Sequence, residues 1–225
     1  MCIRDSYFLY YGLQGVSIPF LPLWFASRGV DPAVIGLIVA TSFLPKILST
    51  PVVAHLADQS GRAHALIASA LTASLVLFIC YPFAQTAGWM LAITLLLNAV
   101  FPAVLPLMDR MAIASGRKQG NAYTIMRACG SLGFAAVTVI GGYLIKTFDA
   151  DWVMWLSILL IVACLACVRL LPQAARPAAD DAPAERVRLP MLAVLRDRPL
   201  LMCIAAASLV QASNGFLYSC LLYTS

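Results

Sequence analysis

Seven long apolar runs, each about the length of a membrane-spanning helix, constrain what this chain can fold into. An α-helix needs about 20 apolar residues to cross roughly 30 Å of hydrocarbon, so 225 residues can supply about seven spans. Hydrophobic residues make up 62% of the chain and charged residues only 11%, which leaves too little polar surface for a water-soluble fold. We therefore predict an all-α integral membrane protein, with spans at about residues 7–26, 33–56, 64–84, 88–108, 122–146, 152–171 and 199–219.

The basic residues between these spans predict the orientation of the chain. One set of loops carries only Arg28 and Lys146. The opposite loops are rich in Lys and Arg, and cytoplasmic loops are the basic ones. We therefore expect the loops after spans two, four and six to be cytoplasmic, in the inner membrane of a bacterium. These loops contain Arg62, Arg110, Arg117, Lys118, Arg169, Arg176, Arg186, Arg188, Arg196 and Arg198.

The longest connection divides the chain into three parts. Residues 172–198 are rich in Ala, Pro, Arg and Asp without a sustained apolar period, which is typical of a solvated linker. It separates a six-helix bundle over 7–171 from a seventh span over 199–219, so we expect this span to begin a second bundle whose remainder is missing. The ends, residues 1–6 and 220–225, resemble translated cloning flanks, and no functional prediction uses them.

The predicted cytoplasmic turn after span two reads Ala54-His-Leu-Ala-Asp58-Gln-Ser-Gly61-Arg62. Gly61 permits a tight turn, and Asp58 can interact with a helix N-terminus while it pairs with a cation across the bundle. The stretch resembles the gating signature of the major facilitator superfamily, with Asp58, Gly61 and Arg62 in register. The alternative is an ordinary polar turn.

Asp109 at the end of span four and Arg127 early in span five are ionisable residues inside apolar runs. The hairpin between them turns near Lys118, nine residues from each, so both should lie about 10 Å inside the turn on adjacent antiparallel helices. A charged residue within a span costs at least ~2.5 kcal/mol on insertion scales and by default marks a functional site. Two interpretations stay open: proton-linked anion binding, or a static ion pair that joins the two helices.

Several other residues are candidates for a cavity near the membrane midplane. Lys46 lies near the middle of span two, too far from either end to reach water easily. Polar or amphipathic residues also occur in span one and span seven, although such residues more often pack or lie at interfaces. Cys164, Cys167 and the Gly130–Gly133 stretch favour helix packing over metal or phosphate chemistry. The span-one and span-seven candidates are Tyr10, Tyr11, Gln14, Gln211, Asn214 and Tyr218.

The hairpin of spans four and five carries the sharpest family resemblance. Residues 98–109, 123–127 and 130–134 resemble the 3-phenylpropionate permease-like (MFS_1-like) group of the major facilitator superfamily, with Thr124 and Cys129 at two departures from its pattern. The resemblance implies the N-terminal six-helix bundle of a twelve-helix transporter plus the start of helix seven. It also implies alternating access driven by a proton gradient, with Arg127 placed to meet the substrate.

These observations predict a proton-coupled symporter of a small organic anion such as an aromatic carboxylate. Arg127, Lys46, Tyr11, Gln14 and Asn214 are its candidate substrate residues. Asp109 is its proton-coupling acid. Expected partners are substrate, proton, lipid bilayer and the missing half, with no cofactor, metal or nucleic acid. The alternatives are sugar or nucleoside uptake, and more remotely a membrane sensor or assembly subunit. An enzyme is not expected, because the two histidines, His55 and His64, form no catalytic motif.

Overall fold

Helices joined by short connections make up the part of the chain that the structure, a computed structural model, describes: residues 2–60, 63–116 and 122–170, with residues 199, 201–203, 205, 206, 208–210 and 213. No β-strand occurs among these residues. The chain divides into two compact units, Met1–Arg176 and Pro177–Ser225. The first contains helices α1 (Cys2–Ser27), α2 (Pro32–Thr41), α3 (Phe43–Ser60), α4 (Ala63–Cys80), α5 (Ala87–Val100), α6 (Val104–Gly116), α7 (Ala122–Thr147) and α8 (Trp152–Leu170). The second contains a shorter apolar helix, Leu201–Val210.

Two of the predicted spans are interrupted near prolines. The predicted single helix over 33–56 is divided at Ser42 into α2 and α3. Pro45 has no N–H to donate to the preceding turn, and the Ser42 hydroxyl donates to the Val39 carbonyl at 2.7 Å, so the local hydrogen bonds compete with a regular helix. In the fourth span a short 3₁₀ turn, Phe101–Ala103, carries Pro102 and separates α5 from α6.

Five stretches of the described chain are long and apolar enough to cross a membrane: Pro32–Ala57, Ala63–Phe83, Ala87–Ala112, Tyr123–Thr147 and Trp152–Leu170. Helix α1 has 26 residues, enough in length, and begins earlier than the predicted span. Its tyrosines, Gln14 and prolines make it more polar than the other spans. This polarity matches its position, because α1 packs mainly against α7 and α8 and buries side chains such as Tyr7, Tyr10 and Trp24.

Glycines bring α1 and α7 into close contact. A Cβ added to Gly15 would lie 2.6 Å from the Phe134 carbonyl oxygen, and one added to Gly133 would overlap the Phe8 backbone. The Thr138 hydroxyl donates to the Gly15 carbonyl at 2.8 Å across the same crossing. Small residues permit this approach of two backbones within a membrane, which confirms the packing role predicted for the Gly130–Gly133 stretch.

A polar contact joins the α1–α2 connection to the α7–α8 connection. The Arg28 guanidinium lies 2.8 Å from Asp151 Oδ1. The indole N–H of Trp24 donates to the same carboxylate oxygen at 2.9 Å, and the Trp24 ring is fully buried. At the opposite end His64 of α4 lies 2.6 Å from the Val168 carbonyl oxygen of α8. Each end of the first unit therefore has its own polar link between helices.

The buried apolar side chains form two clusters along the first unit. One lies towards the Arg28–Asp151 contact and includes Trp24, Phe78 and Tyr81. The other lies towards the α6–α7 end and includes Tyr10 and Cys164, whose thiol donates a weak hydrogen bond of 3.9 Å to the Ser6 carbonyl. Asp109 and Arg127, two of the ionisable residues predicted to be functional, lie beside this second cluster.

Candidate functional site

Asp109 is the acidic centre of the candidate site. It lies on α6, seven residues before Gly116 ends that helix, about 10 Å along the axis. Its Oδ1 accepts a hydrogen bond of 2.5 Å from the hydroxyl of Tyr7, which is fully buried, and lies 3.5 Å from the Tyr123 hydroxyl. The Asp109 side chain is 25% exposed. The carboxylate is therefore accessible from one side and hydrogen-bonded on the other.

Arg127 reaches the same site from α7. Its Nη1 lies 3.9 Å from Asp109 Oδ2, a long ion pair. The same nitrogen donates to the Tyr11 hydroxyl at 2.7 Å. The predicted meeting of the two charged side chains between α6 and α7 is thus confirmed. The shorter of the two contacts of Nη1, however, is with a neutral phenol.

A cluster of aromatic rings, two of them from α1, supports these contacts. The Tyr11 ring meets the Tyr10 ring edge to face, with centroids 5.6 Å apart, and Tyr10 stacks on Phe101 at 4.7 Å. Tyr10 and Gln14 lie four residues apart on α1 and therefore on the same face of that helix. The tyrosine rings that contact Asp109 and Arg127 from this side thus belong to α1, and Phe101 of the 3₁₀ turn packs behind Tyr10.

This arrangement combines three chemical properties. Asp109 can carry or release a proton, and Arg127 offers a delocalised cation whose side chain is 45% exposed. The tyrosines supply hydroxyl groups and flat apolar faces, which suit aromatic rings and sugar rings alike. Both interpretations of the Asp109–Arg127 pair can be built from this geometry, but a purely structural pair does not require so exposed a guanidinium.

Among the other predicted site residues that the structure describes, Lys46 does not join this cluster. Lys46 is exposed on α3, and among the described residues no hydrogen bond or ion pair links its ammonium group to Asp109 or Arg127. The side chain of Asp58, as well as Gly61, Arg62 and Asn214, lies outside the described residues, as do Gln211, Tyr218 and the linker over 172–198. Their predicted roles stay predictions.

Sequence reasoning did not assign Tyr7 and Tyr123 to the site. Tyr7 is separated from Asp109 by 102 positions, so no local pattern could pair them. Tyr123 had a weak signal, because it lies four residues before Arg127 and therefore one helical turn away on the same face of α7. In the described part of the chain, no group of three or more Cys, His, Asp or Glu residues is placed to hold a metal ion.

The helices and the polar cluster between them define a multi-pass membrane protein with an ionisable site inside its helical bundle. Its sequence matches the model of the MFS_1 like family over residues 2–223, nearly the whole chain. The chain belongs to this family, as the resemblance of the span-four to span-five hairpin predicted.

Three relatives share about a quarter of their aligned residues with this chain. The maltose permease of Geobacillus stearothermophilus is 25% identical over 215 residues, which are 93% of this chain and 54% of the permease. The "Probable 3-phenylpropionic acid transporter" of Escherichia coli (strain K12) is 26% identical over 148 residues, 64% of this chain and 38% of that protein. The melibiose permease of Enterobacter cloacae is 27% identical over 159 residues, 67% of this chain and 37% of that protein.

The chain therefore spans about half or less of the length of these relatives. All three are named as permeases or transporters, which confirms the prediction that the chain is not an enzyme.

Proposed function

We propose that this chain forms part of a secondary transporter that takes up a small organic anion, such as an aromatic carboxylate, together with a proton. The observation that carries the proposal is the Asp109–Arg127 pair, in which an exposed guanidinium lies 3.9 Å from a carboxylate inside a helical bundle. The relative named as a 3-phenylpropionic acid transporter supports an aromatic carboxylate as the substrate class.

The two charges give a simple route to coupling. While Asp109 is ionised, its negative charge attracts Arg127 and repels a substrate carboxylate. Protonation of Asp109 removes both effects, so Arg127 can form a charge-assisted hydrogen bond with the substrate. Release of the proton would then favour release of the anion. Tyr11, which accepts a hydrogen bond from Arg127, and Gln14, three residues further along α1, would then border the bound anion.

The complete transporter, in this proposal, has twelve helices, and this chain supplies the first six, the linker over 172–198 and the start of the seventh. Support comes from the family match and from the length of the maltose permease, of which the chain covers 54%. The excess of Lys and Arg in alternate loops favours a cytoplasmic position for the loops after spans two, four and six in the bacterial inner membrane. Asp58, Gly61 and Arg62 would then form a cytoplasmic gate, and Lys46 and Asn214 would line the path of the anion.

A neutral sugar is the second candidate substrate. Two of the three relatives are named as maltose and melibiose permeases, and tyrosine rings also stack on sugar rings. Asp109 and Arg127 would then hydrogen-bond sugar hydroxyls. The dependence of uptake on substrate charge distinguishes this candidate from the anion.

Uptake by cells that express the full-length protein tests the proposal. We expect accumulation of labelled 3-phenylpropionate that a protonophore abolishes and that maltose does not compete for. Arg127→Ala should reduce the initial uptake rate at least tenfold, because a hydrogen bond to a charged group contributes about 1.5–3 kcal/mol.

A matched control is Asp149→Asn, which removes a carboxylate from an exposed loop position outside the site and should leave uptake unchanged. If correctly inserted protein takes up maltose but not 3-phenylpropionate, the substrate is the sugar and not the anion. Anion uptake that survives both the protonophore and Arg127→Ala would contradict the proposal.

A further inference from the structure

The Arg127 guanidinium lies farther from the Asp109 carboxylate than the attraction between the two charges would predict. A guanidinium next to a carboxylate normally closes to hydrogen-bond distance, about 2.7–2.9 Å. Here Nη1 of Arg127 lies 3.9 Å from Asp109 Oδ2. The Arg127 side chain is 45% exposed and the Asp109 side chain 25% exposed, so water screens the pair only in part. Another contact must therefore compete for the guanidinium.

Tyr11 supplies that competing contact. Its hydroxyl accepts a 2.7 Å hydrogen bond from the same Nη1, and its ring centroid is 5.6 Å from the Arg127 Cζ, within the range of a cation–π interaction. Two kinds of attraction thus act on the guanidinium from one side chain.

The Tyr11 ring is itself fixed from two sides. Tyr10 contacts it edge to face. On the α7 side the ring lies against Gly130 so closely that a Cβ there would be 2.6 Å from Tyr11 Cδ2. Its hydroxyl is therefore a preorganised acceptor, held in place by α1 and α7 together.

Asp109 does not depend on Arg127 for a partner. Its Oδ1 already receives the Tyr7 hydroxyl at 2.5 Å, with Tyr123 further away at 3.5 Å. The carboxylate and the guanidinium are thus each hydrogen-bonded to a different tyrosine of α1, four residues apart on that helix.

We propose that Tyr11 is a positioning residue that holds the Arg127 guanidinium away from Asp109 and open to an anionic group of the substrate. The part that concerns substrate rests on the function proposed above, whereas the positioning of Arg127 does not. Loss of the Tyr11 hydroxyl lets Arg127 close on Asp109 and form a direct ion pair, which makes the guanidinium less available to an anion.

Chemical modification of Arg127 tests the positioning step without any substrate. Phenylglyoxal reacts with accessible arginine side chains, and mass spectrometry of the purified full-length protein gives the rate at each residue. In Tyr11→Phe we expect Arg127 to react several-fold more slowly than in the wild type, and in the Tyr11→Phe/Asp109→Asn double variant to react quickly again. Arg28, which contacts Asp151 far from the site, serves as the internal reference and should not change.

Equilibrium binding of labelled 3-phenylpropionate tests the consequence. Tyr11→Phe should raise Kd about tenfold, the effect expected from loss of a hydrogen bond that orients a charged group. In the Asp109→Asn background the same substitution should change Kd much less. Tyr143→Phe, at an exposed tyrosine further along α7, is the matched control and should bind like the wild type.

These outcomes separate the two proposals. If the wild type does not bind 3-phenylpropionate but Arg127 reacts as expected, the substrate is wrong and the positioning role stands. If Arg127 in Tyr11→Phe reacts as fast as in the wild type, or the Asp109→Asn background leaves the effect of Tyr11→Phe unchanged, the positioning role is overturned. A Tyr11→Phe protein that fails to fold would also overturn it, because Tyr11 would then be needed for the bundle itself.

Discussion

The candidate site consists of a few polar side chains inside an apolar helical bundle, where each needs a hydrogen-bonding partner. Asp109 and Arg127 share a site with Tyr7 and Tyr11, and the shortest polar contact of each charged group is a hydrogen bond with a tyrosine. Neutral hydroxyl groups hold the two opposite charges without locking them together. In the proposed mechanism this arrangement leaves Asp109 available to a proton and Arg127 available to a ligand.

Gly130 allows a test of this arrangement from the opposite helix. In Gly130→Ala the new methyl group would meet the Tyr11 ring and displace its hydroxyl from Arg127. We expect the Kd for the anion to rise roughly five-fold, equivalent to about 1 kcal/mol of overpacking. The measurement is equilibrium binding to the purified full-length protein.

Gly36→Ala is the matched control, because nothing lies within 4 Å of a Cβ at that position of α2. It should leave the Kd unchanged. If Gly130→Ala and Gly36→Ala raise the Kd equally, or if neither raises it, then contact between residue 130 and the Tyr11 ring does not affect anion binding.

The sequence predicted the two charged residues of this site but not the tyrosine that hydrogen-bonds Asp109. Ionisable residues are rare inside apolar spans, so Asp109 and Arg127 were clear candidates. Each lies nine residues from the hairpin turn at Lys118, which predicted that they would lie at the same depth. Tyr7 belongs to a helix distant in sequence, and its register against α6 depends on how the whole bundle packs. Lys46 gave a strong sequence signal, yet the structure leaves it exposed on α3 outside the cluster.

At the scale of elements, glycines and polar links determine how the helices pack. Gly15 and Gly133 let α1 and α7 approach closely, and this contact brings Tyr11 to Arg127. Hydropathy predicted the order and approximate positions of the spans up to Leu170. It did not predict the interruption at Ser42, because this interruption depends on hydroxyl groups and Pro45 acting together within one apolar run.

The Arg28–Asp151 contact predicts two different losses of stability. Its side chains are 40% and 56% exposed, so Arg28→Ala should lower the free energy of unfolding by less than about 1 kcal/mol. Asp151→Ala also removes the acceptor of the buried Trp24 N–H and should cost about 1–3 kcal/mol. Thermal unfolding of the full-length protein in detergent measures both. Equal losses would show that the Trp24 hydrogen bond contributes little.

At the scale of the whole molecule, the exposed apolar surface is that of a protein within a bilayer. Large side chains such as Leu48, Phe83 and Val139 are more than two-thirds exposed, which would be costly in water but not in hydrocarbon. Sequence predicted this environment from apolar runs along the whole chain, and it predicted the family from the hairpin of spans four and five. The substrate depends on a few side chains, and relatives that share about a quarter of their residues bear names of different substrates.

In the proposed mechanism Asp109 carries the coupled proton while Arg127 holds the anion. Proteoliposomes that contain the full-length protein allow two assays: accumulation of labelled 3-phenylpropionate driven by an imposed pH gradient, and exchange of the labelled anion across the membrane without a gradient. We predict that Asp109→Asn abolishes accumulation but retains exchange, and that Arg127→Ala loses both. Accumulation by Asp109→Asn at the wild-type level would contradict this mechanism.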